Sequence, residues 1–178
     1  TEEEKEIRIP LTLGGKAVVG IENVFAGNQN IETLLLPESI LHIGKQAFSG
    51  CLKLANVGYY SESEDVIDKQ AKKVVFPEGL LTVGDDAFLG CSSITSVELN
   101  KDLKELSYRP FYQCSSLTKF SVDSENEYFK VDQDGVLYKI YKNEDLSKYG
   151  VITTTEESST EVTTTEEESE ETVEETSE

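Results

Sequence analysis

The chain has 178 residues with 35 Asp and Glu against 16 Lys and Arg, giving a formal net charge of −19. That length suits one domain of ordinary size. The acidic balance, with no Lys/Arg cluster interleaved with aromatics, excludes nucleic acid and anionic membranes as partners. The absence of any apolar run of about 18 residues excludes direct membrane insertion.

The first residues, TEEEKE, have neither the basic start nor the apolar stretch of a signal peptide, so an exported form is expected to have carried its signal upstream of Thr1. EIRIPLTLGGKAVVGI follows, with Ile7 and Ile9 before Pro10 as Leu34 and Leu36 stand before Pro37, and Gly14-Gly15 lengthening the turn. This segment should open a stack. PESILHIGKQAFSGCLKLANV starts at Pro37 and PEGLLTVGDDAFLGCSSITSV at Pro77, and a third copy, NKDLKELSYRPFYQCSSLTKF, starts at Asn100. Phe25, Phe48, Phe88 and Phe111 are spaced by 23, 40 and 23 residues. The period is therefore 23, with an insertion of 17 in the middle interval, inside the leucine-rich-repeat range.

After each Phe comes an apolar triplet: Ile31, Leu34, Leu36; Leu54, Val57, Tyr59; Ile94, Val97, Leu99; and Leu117, Phe120, Val122. This is the LxxLxL pattern of a short strand whose alternate side chains enter a core. Each unit reads as strand, turn, a second short extended stretch such as LLTV, and a helical turn around AFLGC. A single unit cannot bury its apolar face, so the units must stack. The fold class is a leucine-rich-repeat solenoid of short parallel strands with turns and short helical segments, in units of about 7–36, 37–59, 76–99 and 100–122.

The insertion, about 60–75, contains YSESEDVIDKQAKK. It reads either as an excursion loop that interrupts the sheet or as a spacer between two rungs, Val57/Tyr59 and Val74/Phe76. After the last unit, SVDSENEYFKVDQDGVLYKIY alternates apolar residues around Asp134-Gly135, a hairpin signal. It is expected to cap the stack over about 123–141, completing a domain of 1–152. Residues 153–178 hold eleven Glu, nine Thr, four Ser and no base, too little apolar surface to offset the entropy of ordering. This stretch reads as a disordered tail or linker.

The motif IPxxxxxIGxxAFxGCxxL with its period of 23, together with the opening GGKAVVGIENVF and the closing YFKVDQDGVLY, resembles the BspA-type leucine-rich repeats of bacterial and protist surface proteins. The resemblance spans about residues 7 to 140. It implies export, display on a linker and, in some members, adhesion to host matrix proteins or other microbes. Ser107 and Pro110 depart from the Gly and Ala of the motif.

Candidate chemistry is sparse. Cys51, Cys91 and Cys114 each follow a repeat Phe by three residues, with Asn28 in that place in the first unit. Stacked strands lie about 4.8 Å apart, so these thiols should form a buried column that satisfies turn backbone. One column does not surround a zinc ion. His42 is the only histidine and has no partnering nucleophile motif, so no triad or Cys-His pair is indicated. Asp132 and Asp134 lack the spacing of a calcium loop. No cofactor, no metal and no catalytic residue are assigned, and an enzyme is not expected.

If Leu34 and Leu36 point inward, the outward strip on the sheet consists of Thr33, Leu35, Asn56, Ser96, Glu98, Lys119 and Ser121. Phe25, Phe48, Phe88, Phe111 and the three cysteines are structural. The strip gives the leading expectation: a secreted or cell-surface binding and adhesion module recognising an extracellular protein or glycan, such as host matrix or another microbe. The rival readings are a ligand-free spacer repeat within a larger surface protein and an intracellular scaffold, which free thiols would suit.

Overall fold

In the computed structural model of the chain, residues 5–141 are described; the Glu-rich tail expected over 153–178 lies outside them. In chain order the strands are β1 (Glu6–Arg8), β2 (Thr12–Leu13), β3 (Lys16–Ala17), β4 (Gly20–Ile21), β5 (Thr33–Pro37), β6 (His42–Ile43) and β7 (Asn56–Tyr60). They continue as β8 (Asp65–Val66), β9 (Lys73–Val75), β10 (Thr82–Val83), β11 (Ser96–Leu99), β12 (Glu105–Leu106), β13 (Lys119–Val122), β14 (Phe129–Val131) and β15 (Leu137–Lys139). Two parallel sheets result. The first runs β1-β5-β7-β9-β11-β13, and the second runs β4-β6-β10-β12.

The triplets set the register of the first sheet. Leu34 lies beside Val57, Val57 beside Val74, Val74 beside Val97 and Val97 beside Phe120. Leu34, Val57, Val74 and Val97 are fully buried. Between the sheets, Phe25, Phe48, Phe88 and Phe111 form one stacked column, with successive ring centroids 5.5, 5.3 and 5.2 Å apart. Each turn after the Phe closes by a hydrogen bond to the Phe carbonyl from the amide three residues on, Asn28 in the first unit and a Cys in the others, as from Cys91 to Phe88.

The insertion adds a rung to one sheet only. In the second sheet β6 pairs directly with β10, His42 beside Thr82 and Ile43 beside Val83. In the first sheet β9 is interposed between β7 and β11. At about 4.8 Å per strand, β7 and β11 are two spacings apart where β6 and β10 are one, so the rungs fan open on the first-sheet side. The sheet is therefore continuous, contrary to the expectation that the insertion interrupts it. The second sheet can close up because the backbones meet tightly: a Cβ on Gly84 would lie 2.8 Å from the Gly44 carbonyl carbon.

Two hairpins flank the stack. β2 and β3 pair antiparallel around Gly14-Gly15, both at positive φ (59° and 75°), the geometry of a two-residue primed turn. At the other end β14 and β15 pair antiparallel around Asp134-Gly135. Asn126 ties this cap to the last rungs: its amide donates to the carbonyls of Asn100 and Leu103 and its side-chain oxygen accepts from Tyr128 and Phe129. Asn100 does likewise for the preceding rung, donating to the Pro77, Glu78 and Leu80 carbonyls. These two asparagines satisfy turn carbonyls that a solenoid end would leave bare.

Candidate recognition surface

The outward strip divides in two. On β5 and β7, Thr33, Leu35 and Asn56 face away from the interior as their register requires, but all are buried, Leu35 completely. Leu35 does not join the interior cluster that holds Leu34 and Leu36. The cover is the insertion. β8 pairs antiparallel with the end of β7, Tyr59 beside Val66 and Tyr60 beside Asp65, and the chain then crosses the sheet. A Cβ on Gly58, the neighbour of Leu35 in the register, would lie 2.6 Å from Ile67 Cβ.

Polar contacts hold this strap at both ends. Asp65 pairs with Arg8 of β1 at 2.5 Å and Lys69 pairs with Glu6 at 2.5 Å. Arg8 also lies 4.2 Å over the Tyr60 ring, whose hydroxyl donates to the Ile9 carbonyl. Asn56 uses both halves of its amide, donating to the Lys69 carbonyl at 3.0 Å and accepting from the Lys72 amide at 2.9 Å. Leu35 is thus corrected from a ligand contact to the bed on which the insertion lies, and Thr33 and Asn56 from exposed contacts to buried positions on the same strands. Sequence reasoning missed this because the insertion has no periodicity. Val66-Ile67, the only apolar pair in a polar stretch, was the available signal.

On β9, β11 and β13 the outer face is open. Ser96, Glu98 and Ser121 are half-buried and Lys119 is exposed. Ser96 lies beside Lys119 and Glu98 beside Ser121, while β9 contributes Lys73 and Val75. Lys73 pairs with Glu98 at 2.9 Å. At the strand ends this face runs into an acidic groove of 290 Å³ whose lining includes Tyr59, Glu78, Glu98 and Asp123. Burial, followed by the Glu78 and Glu64 carboxylates, holds the Tyr59 phenol above its ordinary value.

The cysteines form the column their spacing indicates. Each Sγ lies within hydrogen-bonding distance of the Phe carbonyl one rung earlier: Cys51 on Phe25 at 3.0 Å, Cys91 on Phe48 at 3.2 Å and Cys114 on Phe88 at 3.1 Å. All three are free and buried. In the first unit Asn28 instead accepts from the Asn30 and Ile31 amides. Burial pushes the Cys114 thiol from 9.0 up to about 11 and raises Cys51 and Cys91 as well. At pH 8 about one Cys114 thiol in a thousand is then ionised, so Ellman's reagent should label it very slowly until denaturant is added. The protonated form is the one favoured by folding. The thiol contribution to stability is thus complete below pH 9 and falls as pH climbs toward about 11, and urea midpoints measured across that window should decline.

Asp132 accepts from the amides of Val136 and Asp134 and from the Tyr138 hydroxyl. These bonds, the Val136 amide foremost, hold its carboxyl below the ordinary value. Its oxygens serve the hairpin turn. His42 sits on the second sheet with Nδ1 2.9 Å from Thr82 Oγ1. A feature that the spacing alone did not bring forward lies in the third unit, where the motif departs from its pattern. Exposed Tyr108 and Tyr112 flank Arg109, whose guanidinium lies 4.5 and 5.1 Å from their ring centroids.

Two parallel sheets about a Phe column, repeated every 23 residues, define a leucine-rich-repeat solenoid. The chain belongs to the BspA type leucine rich repeat region family, matched in six copies over residues 21–71 and 67–159. Its fold is similar to that of the T. pallidum leucine rich repeat protein (27% identity, TM-score 0.49, 66% of this chain and 58% of that one). It is also similar to a leucine-rich repeat protein from Eubacterium ventriosum (19%, TM-score 0.52, 78% and 36%). The chain thus spans less than two thirds of either protein. No curated relative matches the sequence.

Proposed function

We propose that this is a non-catalytic, surface-displayed recognition module that contacts an extracellular protein or glycan through the uncovered half of its outer sheet. The supporting observation is the division of that sheet: the insertion seals β5 and β7, while β9, β11 and β13 present Lys73, Ser96, Glu98, Lys119 and Ser121 to solvent. Membership of the BspA-type family supports the surface location. The exposed side chains are short or charged, and a face without a buried aromatic anchor suits a weak contact strengthened by multivalency.

The test is an array of matrix proteins, mucins and glycans probed with the full chain and with the double variant Glu98→Gln/Lys119→Gln. Saturable binding that falls by about tenfold in the variant is expected, since charged contacts at a rim contribute on the order of 1 kcal/mol. Saturable binding that the variant leaves unchanged would reject this face, and silence across the array would favour the spacer reading.

A further inference from the structure

At the N-terminal ends of β5 and β7 lies a second groove, of 380 Å³, and its chemistry differs from that of the rest of this acidic chain. Thr33 and Asn56 form its floor, and Lys53, Lys69, Gln70 and Lys72 are among its walls. Three lysines thus line one concavity in a protein of net charge −19. Lys69 is ion-paired with Glu6, and Glu32, the one acid in the lining, is ion-paired with Lys5 at 3.0 Å. Lys53 and Lys72 have no carboxylate partner among the described residues. The Gln70 side chain is likewise exposed and carries no hydrogen bond among them.

The groove is built by the fold. Asn56 clamps the returning insertion by its backbone at Lys69 and Lys72, and this sets Lys72 on the same groove as Lys53, which comes from the turn before β7. Asn56 is a positioning residue here, with its own amide fully used.

We infer that this groove binds an acidic sugar, with Lys53 and Lys72 holding its carboxylate or sulfate group and Gln70 and Ser93 meeting its hydroxyls. Two free ammonium groups call for an anion. The volume is at the lower end of small-ligand sites, which run from roughly 300 to 1,000 Å³. The only apolar residue in the lining is Ala55, which disfavours the hydrophobic side chains of a peptide. No aromatic ring is present to stack a nucleobase, as single-stranded nucleic acid would need. The net charge repels a long polyanion, whereas a single acidic sugar engages the groove at short range, within the Debye length of about 8 Å at physiological salt.

The site is separate from the open sheet face, so its test is independent of that of the proposed function. Isotope-labelled full chain is titrated with sialyllactose, with sulfated lactose and with lactose, following amide shifts. Saturable shifts centred on Lys53, Gln70, Lys72 and Ser93 are expected with one or both acidic sugars and not with lactose. A response to sialyllactose alone assigns the carboxylate, and a response to the sulfated sugar alone assigns the sulfate. Lys53→Gln/Lys72→Gln should weaken binding by about tenfold or more, as expected for losing charge-assisted hydrogen bonds. Lys16→Gln, in β3 and outside the groove lining, and Glu98→Gln/Lys119→Gln should leave it unchanged. No shift with either acidic sugar, equal shifts with lactose, or shifts that survive Lys53→Gln/Lys72→Gln would overturn the assignment.

Discussion

Replacing Phe88 with Ala should destabilise the domain by about 3 to 5 kcal/mol, the range for removing a fully buried aromatic ring. Phe88 has no exposed surface. It stacks on Phe48 at 5.3 Å and Phe111 at 5.2 Å and meets Phe76 at 6.1 Å. Because a solenoid is held by contacts between neighbouring units, the cavity would loosen the rungs on both sides. Phe25 sits at the first position of the column and is partly exposed, so Phe25→Ala should cost clearly less. Urea denaturation followed by far-UV circular dichroism measures both. A loss below about 1 kcal/mol for Phe88→Ala would show that the column does not hold the stack.

The Phe column, the apolar triplets and the closing hairpin were legible in the sequence because each is a local pattern repeated at a fixed period. Val74 pairing with both Val57 and Val97 was legible only as one of two readings of the insertion. A three-residue strand such as Lys73–Val75 carries too little alternation to declare itself. The direction of Leu35 also followed from period two, but its burial did not. Alternation tells which face a side chain takes, whereas exposure depends on what else covers that face, and the cover here comes from Val66 and Ile67 more than thirty residues away.

The two halves of the candidate surface were obscured for the same reason. Thr33 and Asn56 looked like small polar contacts on an open sheet. Asn56 is in fact spent on the backbone of Lys69 and Lys72, and the lysines around the groove come from two separate segments of sequence. No charge run marks them. Only the return of the insertion over β7 brings Lys53, Lys69 and Lys72 to one place.

That return depends on the missing side chain at position 58, and Gly58→Val should therefore lift the insertion from the sheet. The new Cβ alone would stand 2.6 Å from Ile67 Cβ, and on the β7 side it is fixed to a strand paired along its length with β5. Neither partner is the free end of a flexible chain, so the strap must move. The expected cost is about 1 to 3 kcal/mol, the usual penalty for overpacking. Lifting the strap would break the Arg8–Asp65 and Lys69–Glu6 ion pairs and bring Leu35 to the surface. Trypsin cleavage after Lys69 or Lys72 should then be faster by about tenfold or more, since opening a segment scales with its local stability. The interior should survive, because the Phe column and the Val57–Val74–Val97 register lie on the other side of the sheet. The variant would keep its cooperative unfolding while losing protection between Ser61 and Lys72. If cleavage there proceeded at the native rate, the insertion would not be resting on the sheet, and the groove beside it would have no wall.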